Sequence, residues 1–251
     1  MAREGASASN YMASNTGLGC PVLSFPFTVS FWYRIPATLV GGAPLSWADS
    51  TDSKVSGFYV YNVSSDLNVL GQIDNGTDVG VFGATSSYVN TNMHLMYSCT
   101  SSTSRVLAAN GSVSSTFTAS RTVDTSADRW GIGTRVIATP SSYISAGHFV
   151  SEIGIWNIAL NTTDDLTSLY NNRMSPLLVK PKNLVTYAPL NESGSVARDL
   201  IGGRNLSSFG TGMPYKDSDP LQYLRRSFPG FTSGVAATSS PYNSIFHGSV
   251  F

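Results

Sequence analysis

Apolar and aromatic residues in this chain come in short alternating runs, each soon cut off by Gly, Asn, Asp or Pro. A period of two places successive side chains on opposite faces of a strand, so such runs fold as many short strands with one face turned to a core. Strands are expected at 27–34, 57–62, 68–72, 79–83, 94–99, 105–109, 113–118, 130–134 and 150–155. β character returns at 183–187 and near 205–207. Short strands at this spacing pack as a sandwich. A chain of 251 residues is long enough for one large sandwich or two small domains, and length alone does not decide between them.

The punctuation agrees with this pattern. Asn75-Gly76 and Asn110-Gly111 tolerate the positive φ of tight hairpin turns, and 105–118 reads as a hairpin about the second pair. One helix is expected at 162–171, with Asn161 as its N-cap and Leu166, Leu169 and Tyr170 at helical spacing. Asp164 and Asp165 suit the positive end of its dipole, which explains them better than a catalytic pair does. From 213 onward the texture changes to scattered aromatics with Pro and Gly and no clear period. The expected organisation is a sandwich over 1–212 and an extended C-terminal arm over 213–251, whose assembly contacts would come from Tyr215, Tyr223, Arg225, Arg226, Phe228, Phe231, Tyr242 and Phe246.

Charged residues are only 12% of the chain, with 15 basic and 15 acidic side chains and a net charge of zero. No electrostatic drive toward nucleic acid or an anionic membrane follows, and neither is expected as a partner. The first residues, Met1-Ala2-Arg3-Glu4-Gly5, lead into no apolar h-region, and no apolar run is long enough to span a bilayer. A chain made without a secretory signal is expected. Two cysteines, Cys20 and Cys99, are too few for a disulfide scaffold and suit free thiols in or near the core.

Catalytic motifs are sparse. His94, His148 and His247 are the only bases of their kind, none in a nucleophile context. A glycosidase needs two carboxylates about the scissile bond. Of Glu4, Glu152 and Glu192, only Glu152 lies in a strand, and the position two residues on is Gly154. No catalytic residue is assigned and no cofactor is expected. Asp49 with Asp52 is the best candidate calcium cluster, with solvated turn aspartates as its alternative. Trp47, Tyr59 and Tyr143 are candidate stacking surfaces for a glycan, whereas Trp32 and Trp156 lie in strands and belong to the core.

The segments Phe25-Pro26-Phe27-Thr28-Val29-Ser30-Phe31-Trp32-Tyr33, His94-Leu95-Met96-Tyr97, Trp130-Gly131-Ile132-Gly133 and Glu152-Ile153-Gly154-Ile155-Trp156-Asn157-Ile158-Ala159-Leu160 before a capped helix resemble the laminin G-like, pentraxin-related branch of concanavalin A-like domains. This resemblance spans roughly 9–172 and implies an all-β, two-sheet antiparallel jelly-roll sandwich with one short helix. The next stretch, 175–203, resembles the continuation seen in laminin G-like proteins of tailed bacteriophages. Two departures stand out. Gly133 is followed by Thr134-Arg135-Val136-Ile137-Ala138-Thr139-Pro140, with no acid before Glu152, which weakens a calcium-dependent lectin. The disulfide of pentraxin-like relatives falls on Ser30 and on or near Met96, not on the two cysteines.

The leading functional expectation is therefore a non-enzymatic virion structural protein, a capsid decoration, head fibre or tail component. Its partners would be other virion proteins and copies of itself. A carbohydrate-binding or host-adhesion module is the alternative, with surface glycans as partners, and a glycoside hydrolase the remote one.

Overall fold

The computed structural model describes residues 2–4, 11–14, 19–22, 24–35, 41–49, 55–134, 148–192, 194–209 and 215–216. They form two antiparallel sheets of eight strands each. In chain order the strands are β1 (Ala2–Glu4), β2 (Tyr11–Ser14), β3 (Phe27–Arg34), β4 (Gly42–Ala48), β5 (Val55–Val63), β6 (Asp66–Ile73), β7 (Gly76–Ala84) and β8 (Asn92–Ser101). There follow β9 (Ser104–Ala109), β10 (Ser112–Val113), β11 (Arg129–Ile132), β12 (Phe149–Trp156), β13 (Leu184–Ala188), β14 (Val196–Ala197), β15 (Leu206–Phe209) and β16 (Tyr215–Lys216). The first sheet runs β10-β9-β8-β3-β12-β1-β16, with β13 also on β12; the second runs β14-β15-β2-β11-β4-β5-β6-β7.

Alternation explains the core. In β3, Phe27, Val29, Phe31 and Tyr33 enter the space between the sheets, where they meet Leu45, Trp47, Phe58 and Trp130 from the second sheet. Thr28, Ser30 and Trp32 point the other way, yet they too are buried. The outer face of the first sheet carries a second apolar layer, in which Met96, Ala108 and Trp156 pack against Leu166, Leu169 and Val179. A helical segment thus roofs this sheet. Each fully buried aliphatic or aromatic side chain contributes about 1.5–3 kcal/mol, so the roof is integral to stability.

That segment begins as expected and continues differently. Asn161 Oδ1 accepts from the backbone N–H of Thr163 (2.6 Å) and Asp164 (3.3 Å), while Asp165 Oδ2 accepts from Asn161 N (2.9 Å), a reciprocal cap. After α1 (Asp164–Leu166) the chain widens into a π turn, Thr167–Asn171. At the hairpins, Asn110-Gly111 is the central pair of a two-residue turn, with both φ positive. The other Asn-Gly pair is offset by one: Asp74 and Asn75 occupy the turn and Gly76 opens β7. Ser64-Ser65 makes a third such turn, between β5 and β6.

An ion pair closes one edge of the sandwich. Asp78 of β7 and Arg105 of β9, on different sheets, are both buried, with Arg105 Nε donating to Asp78 Oδ2 at 2.6 Å and Nη2 to Oδ1 at 3.2 Å. The Tyr97 hydroxyl donates to the same carboxylate at 2.6 Å, and burial pushes its own pKa up. Its ring lies over Gly71, where any Cβ would come within 2.7 Å of it. Arg105 also donates to the carbonyls of Ser102 and Ala119, so this buried charge is paired as burial requires.

Strand β12 is the hub of the first sheet. Its inner neighbour is β3, but its other edge is shared: Val150 and Phe149 pair with β1, whereas 153–156 pair with β13. Glu152 sits at the changeover with φ +53, in a bulge that lets two residues oppose one on β3.

Candidate functional site

At one end of the outer face of the first sheet, four side chains converge from three elements. Trp32 of β3 and His94 of β8 are register partners, with ring centroids 5.3 Å apart. Tyr170 of the π turn lies across both, 6.2 Å from Trp32 and 6.3 Å from His94. The Arg173 guanidinium stands 5.9 Å above the Trp32 ring. Burial depresses the His94 pKa to about 3, so the imidazole is neutral at ordinary pH and stacks as an uncharged ring.

Tyr170 is also one wall of a cleft of about 180 Å³. The facing wall is the hairpin tip at Gly111, which Asn110 ties to β8 through its side-chain oxygen and the His94 N–H (2.8 Å). Gly111 adopts φ +80, and a Cβ there would fall 2.9 Å from Tyr170 Cδ1, so the glycine both permits the turn and leaves the ring edge uncovered. Thr162, Thr163, Thr167 and Asn171 are its polar lining residues, and Leu166 an apolar one. No lining residue is charged. The volume is below the ~300–1,000 Å³ of pockets that enclose drug-sized ligands.

The sequence pointed elsewhere. Trp47 is a correction: it is 2% exposed, inside the core with its ring edge-on to Phe27 at 6.3 Å, and has no face to offer a sugar. Pairing of β4 on both edges, with β11 and β5, draws it inward. Tyr59 is half-buried on the outer face of the second sheet, in a row with Leu70 and Val79. Tyr215 lies in β16, paired with β1. Tyr143, Asp52, Tyr223, Arg225, Arg226, Phe228, Phe231, Tyr242 and Phe246 lie outside the described residues. Asp49 is buried, with its carbonyl accepting from Arg129, and among the described residues no group of three His, Cys, Asp or Glu could hold a metal ion.

Glu152 Oε2 accepts from the Tyr187 hydroxyl at 2.7 Å. No acid fits at 154, because a Cβ there would lie 2.5 Å from the Trp156 ring and 2.8 Å from Pro176. His148 is buried with its Nδ1 at 2.5 Å from the Tyr33 hydroxyl, and burial lowers its pKa to about 4. Cys20 and Cys99 are free, buried thiols, and burial pushes the first up to about 12. Ser30 and Met96 face each other across β3 and β8.

No family model matches the sequence, and no curated protein is significantly similar to it. Solved structures are similar in fold. The heptameric SAP-like pentraxin of Limulus polyphemus is 17% identical over 67% of this chain and 80% of its own, with a TM-score of 0.54. The CBM40 domain of a Ruminococcus gnavus IT-sialidase, bound to α2,3-sialyllactose, is 14% identical over 68% of this chain and 98% of its own, with a TM-score of 0.49. Domains LG4-5 of mouse laminin α1 are 15% identical over 62% and 40%, with a TM-score of 0.46. The chain is a two-sheet antiparallel jelly-roll β-sandwich, as its sequence led us to expect.

Proposed function

We propose that the chain is a non-catalytic binding module that takes a neutral glycan residue in the cleft between Gly111 and Tyr170. The observation that carries this reading is the lining itself: hydroxyls, one amide and an aromatic edge, with no ionised group. A sugar ring presents the complement, hydroxyls at its rim and C–H groups on its faces. The neutral His94 and Trp32 behind Tyr170 hold that ring in place without competing for the ligand.

The test is a glycan array probed with the full chain, with and without calcium, followed by titration of any hit. Tyr170→Ala and Asn171→Ala should each abolish or severely weaken binding, while Tyr59→Ala, on the other sheet, should leave it unchanged. An array without hits, or binding that survives Tyr170→Ala in a folded protein, overturns the reading.

The setting we propose is a virion surface, with other virion proteins as neighbours. Its support is the resemblance of 175–203 to phage-encoded laminin G-like proteins. That stretch is built into the sandwich: β13 pairs with β12, and Asp199 accepts from the N–H groups of Tyr187, Ile201 and Gly202. Antibody labelling of purified particles decides it, and unlabelled particles refute it.

A further inference from the structure

We propose that β7 is a pairing edge at which a second copy of this chain docks antiparallel, about a two-fold axis through Val79. Among the described residues, the other terminal strands of the two sheets, β10, β14 and β16, have two residues each, whereas β7 has nine. The free side of β13 is covered, since Tyr187 O accepts from Leu200 N and Val185 O from Arg204. Among the described residues, the free side of β7 is covered only at its ends, where Thr77 O accepts from Arg121 (2.8 Å) and Phe82 O from the Tyr88 hydroxyl (2.6 Å).

Register shows which groups lie open between those ends. The two-residue turn makes Ile73 and Gly76 a hydrogen-bonded pair, so hydrogen-bonded and non-bonded pairs alternate from there. Asp78 and Gly80 bond to β6; Thr77, Val79 and Val81 direct their N–H and C=O groups to the free edge. Their side chains are also outermost, with Val79 41% and Val81 60% exposed. Natural edges are guarded by lysine, proline, bulges, inward-pointing charge or a covering segment. β7 carries no lysine or proline, and its inward charge, Asp78, is held by Arg105, so the stretch Val79-Gly80-Val81 beside it is neutral and presents its backbone groups outward.

A copy is the occupant that this stretch fits because it is self-complementary. With Val79 opposite the partner's Val79, those two residues exchange both hydrogen bonds, and each Thr77 N–H meets the carbonyl of the partner's Val81. Four bonds form and the Thr77 carbonyl stays with Arg121. The outer-face row Tyr59–Leu70–Val79 then runs unbroken into the same row of the partner, joining two apolar strips end to end.

Sedimentation of the full chain tests this together with cysteine trapping. The wild type should sediment as a dimer, and Val79→Lys should reduce it to the monomer's sedimentation coefficient with an unchanged circular dichroism spectrum. Val63→Lys should have no effect, since Val63 is equally exposed (48%) but lies on β5, away from the edge. Val79→Cys should cross-link to itself under mild oxidation, because a hydrogen-bonded pair sets Cα atoms about 5.5 Å apart, within disulfide reach. Val81→Cys should not, because its copy lies about 13 Å away along the strand. A monomeric wild type, an oligomer that survives Val79→Lys, or equal trapping at 79 and 81 would each overturn the proposal. None of these readouts depends on glycan binding.

Discussion

Replacing Asp78 with alanine removes the anion from a site that still holds the Arg105 cation, and the consequence can be worked from the contacts. Arg105 loses a bidentate partner at 2.6 and 3.2 Å but keeps the carbonyls of Ser102 and Ala119. Breaking a buried pair costs about 3–5 kcal/mol, and the two carbonyls place this case near the lower figure. Tyr97 loses its acceptor as well, worth about 1 kcal/mol more. The total, about 4 kcal/mol, is a large part of the ~5–15 kcal/mol that holds most domains together. At about 2–4 °C per kcal/mol for a chain of this size, Tm should fall by about 8–16 °C in a calorimetric scan. Replacing both partners, as Asp78→Leu with Arg105→Met, should cost much less than Asp78→Ala, because it leaves no uncompensated charge. A Tm shift under about 2 °C for Asp78→Ala, or a double variant worse than the single one, would refute the view that this pair ties the sheets together.

Three further outcomes are expected. His148 and His94, held at about 4 and about 3 by burial, protonate in the unfolded chain near 6.5 but stay neutral in the fold. The unfolded state therefore binds more protons in between, so stability is full above pH 6.5. It falls toward pH 4 by up to about 1.4 kcal/mol per pH unit for each histidine. Urea midpoints at pH 7 and pH 5 measure this, and His148→Phe should flatten the slope; identical wild-type midpoints would contradict it. Gly154→Ala should destabilise by about 1–3 kcal/mol, since its methyl group enters the space of Trp156 and Pro176; an unchanged denaturation midpoint would argue against that contact. Ellman's reagent should find no reactive thiol in the native protein and two in denaturant, and fast native labelling would show that Cys20 or Cys99 is accessible.

How much of this was legible depends on where burial is one-sided. β3 was expected at its observed bounds, and β5 to β9 and β12 to within three residues at either end, because branched and aromatic residues alternate there or fill both faces. β4, Gly-Ala-Pro-Leu-Ser-Trp-Ala, escaped notice because small residues and Pro44 give it no period, although pairing on both sides buries all of it. Of the expected 113–118 strand only Val113 joins the ladder, in β10 with Ser112, and Phe117 returns as an isolated bridge to Arg105. β1, β2, β14 and β16 are too short for any pattern. The cap at Asn161 is local chemistry and was readable; the π turn after it answers to packing on β3 and β8 and was not. The same holds for the cleft. Gly111 signalled a turn and Tyr170 a helix face, but their meeting beside Trp32 and His94 depends on contacts between segments far apart in sequence.

The shared edge of β12 bears on how the polypeptide acquires its shape. Residue 3 and residue 188 line the same side of one strand, so neighbours drawn from both extremities must arrive before that strand is finished. A ribosome that has released only the first 172 residues has delivered β1 to β12, yet the 153–156 half of β12 still lacks its companion. The Trp156 indole N–H likewise waits for the carbonyl of Val179. A chain ending short of residue 188 therefore leaves the 153–156 edge of β12 without its native partner.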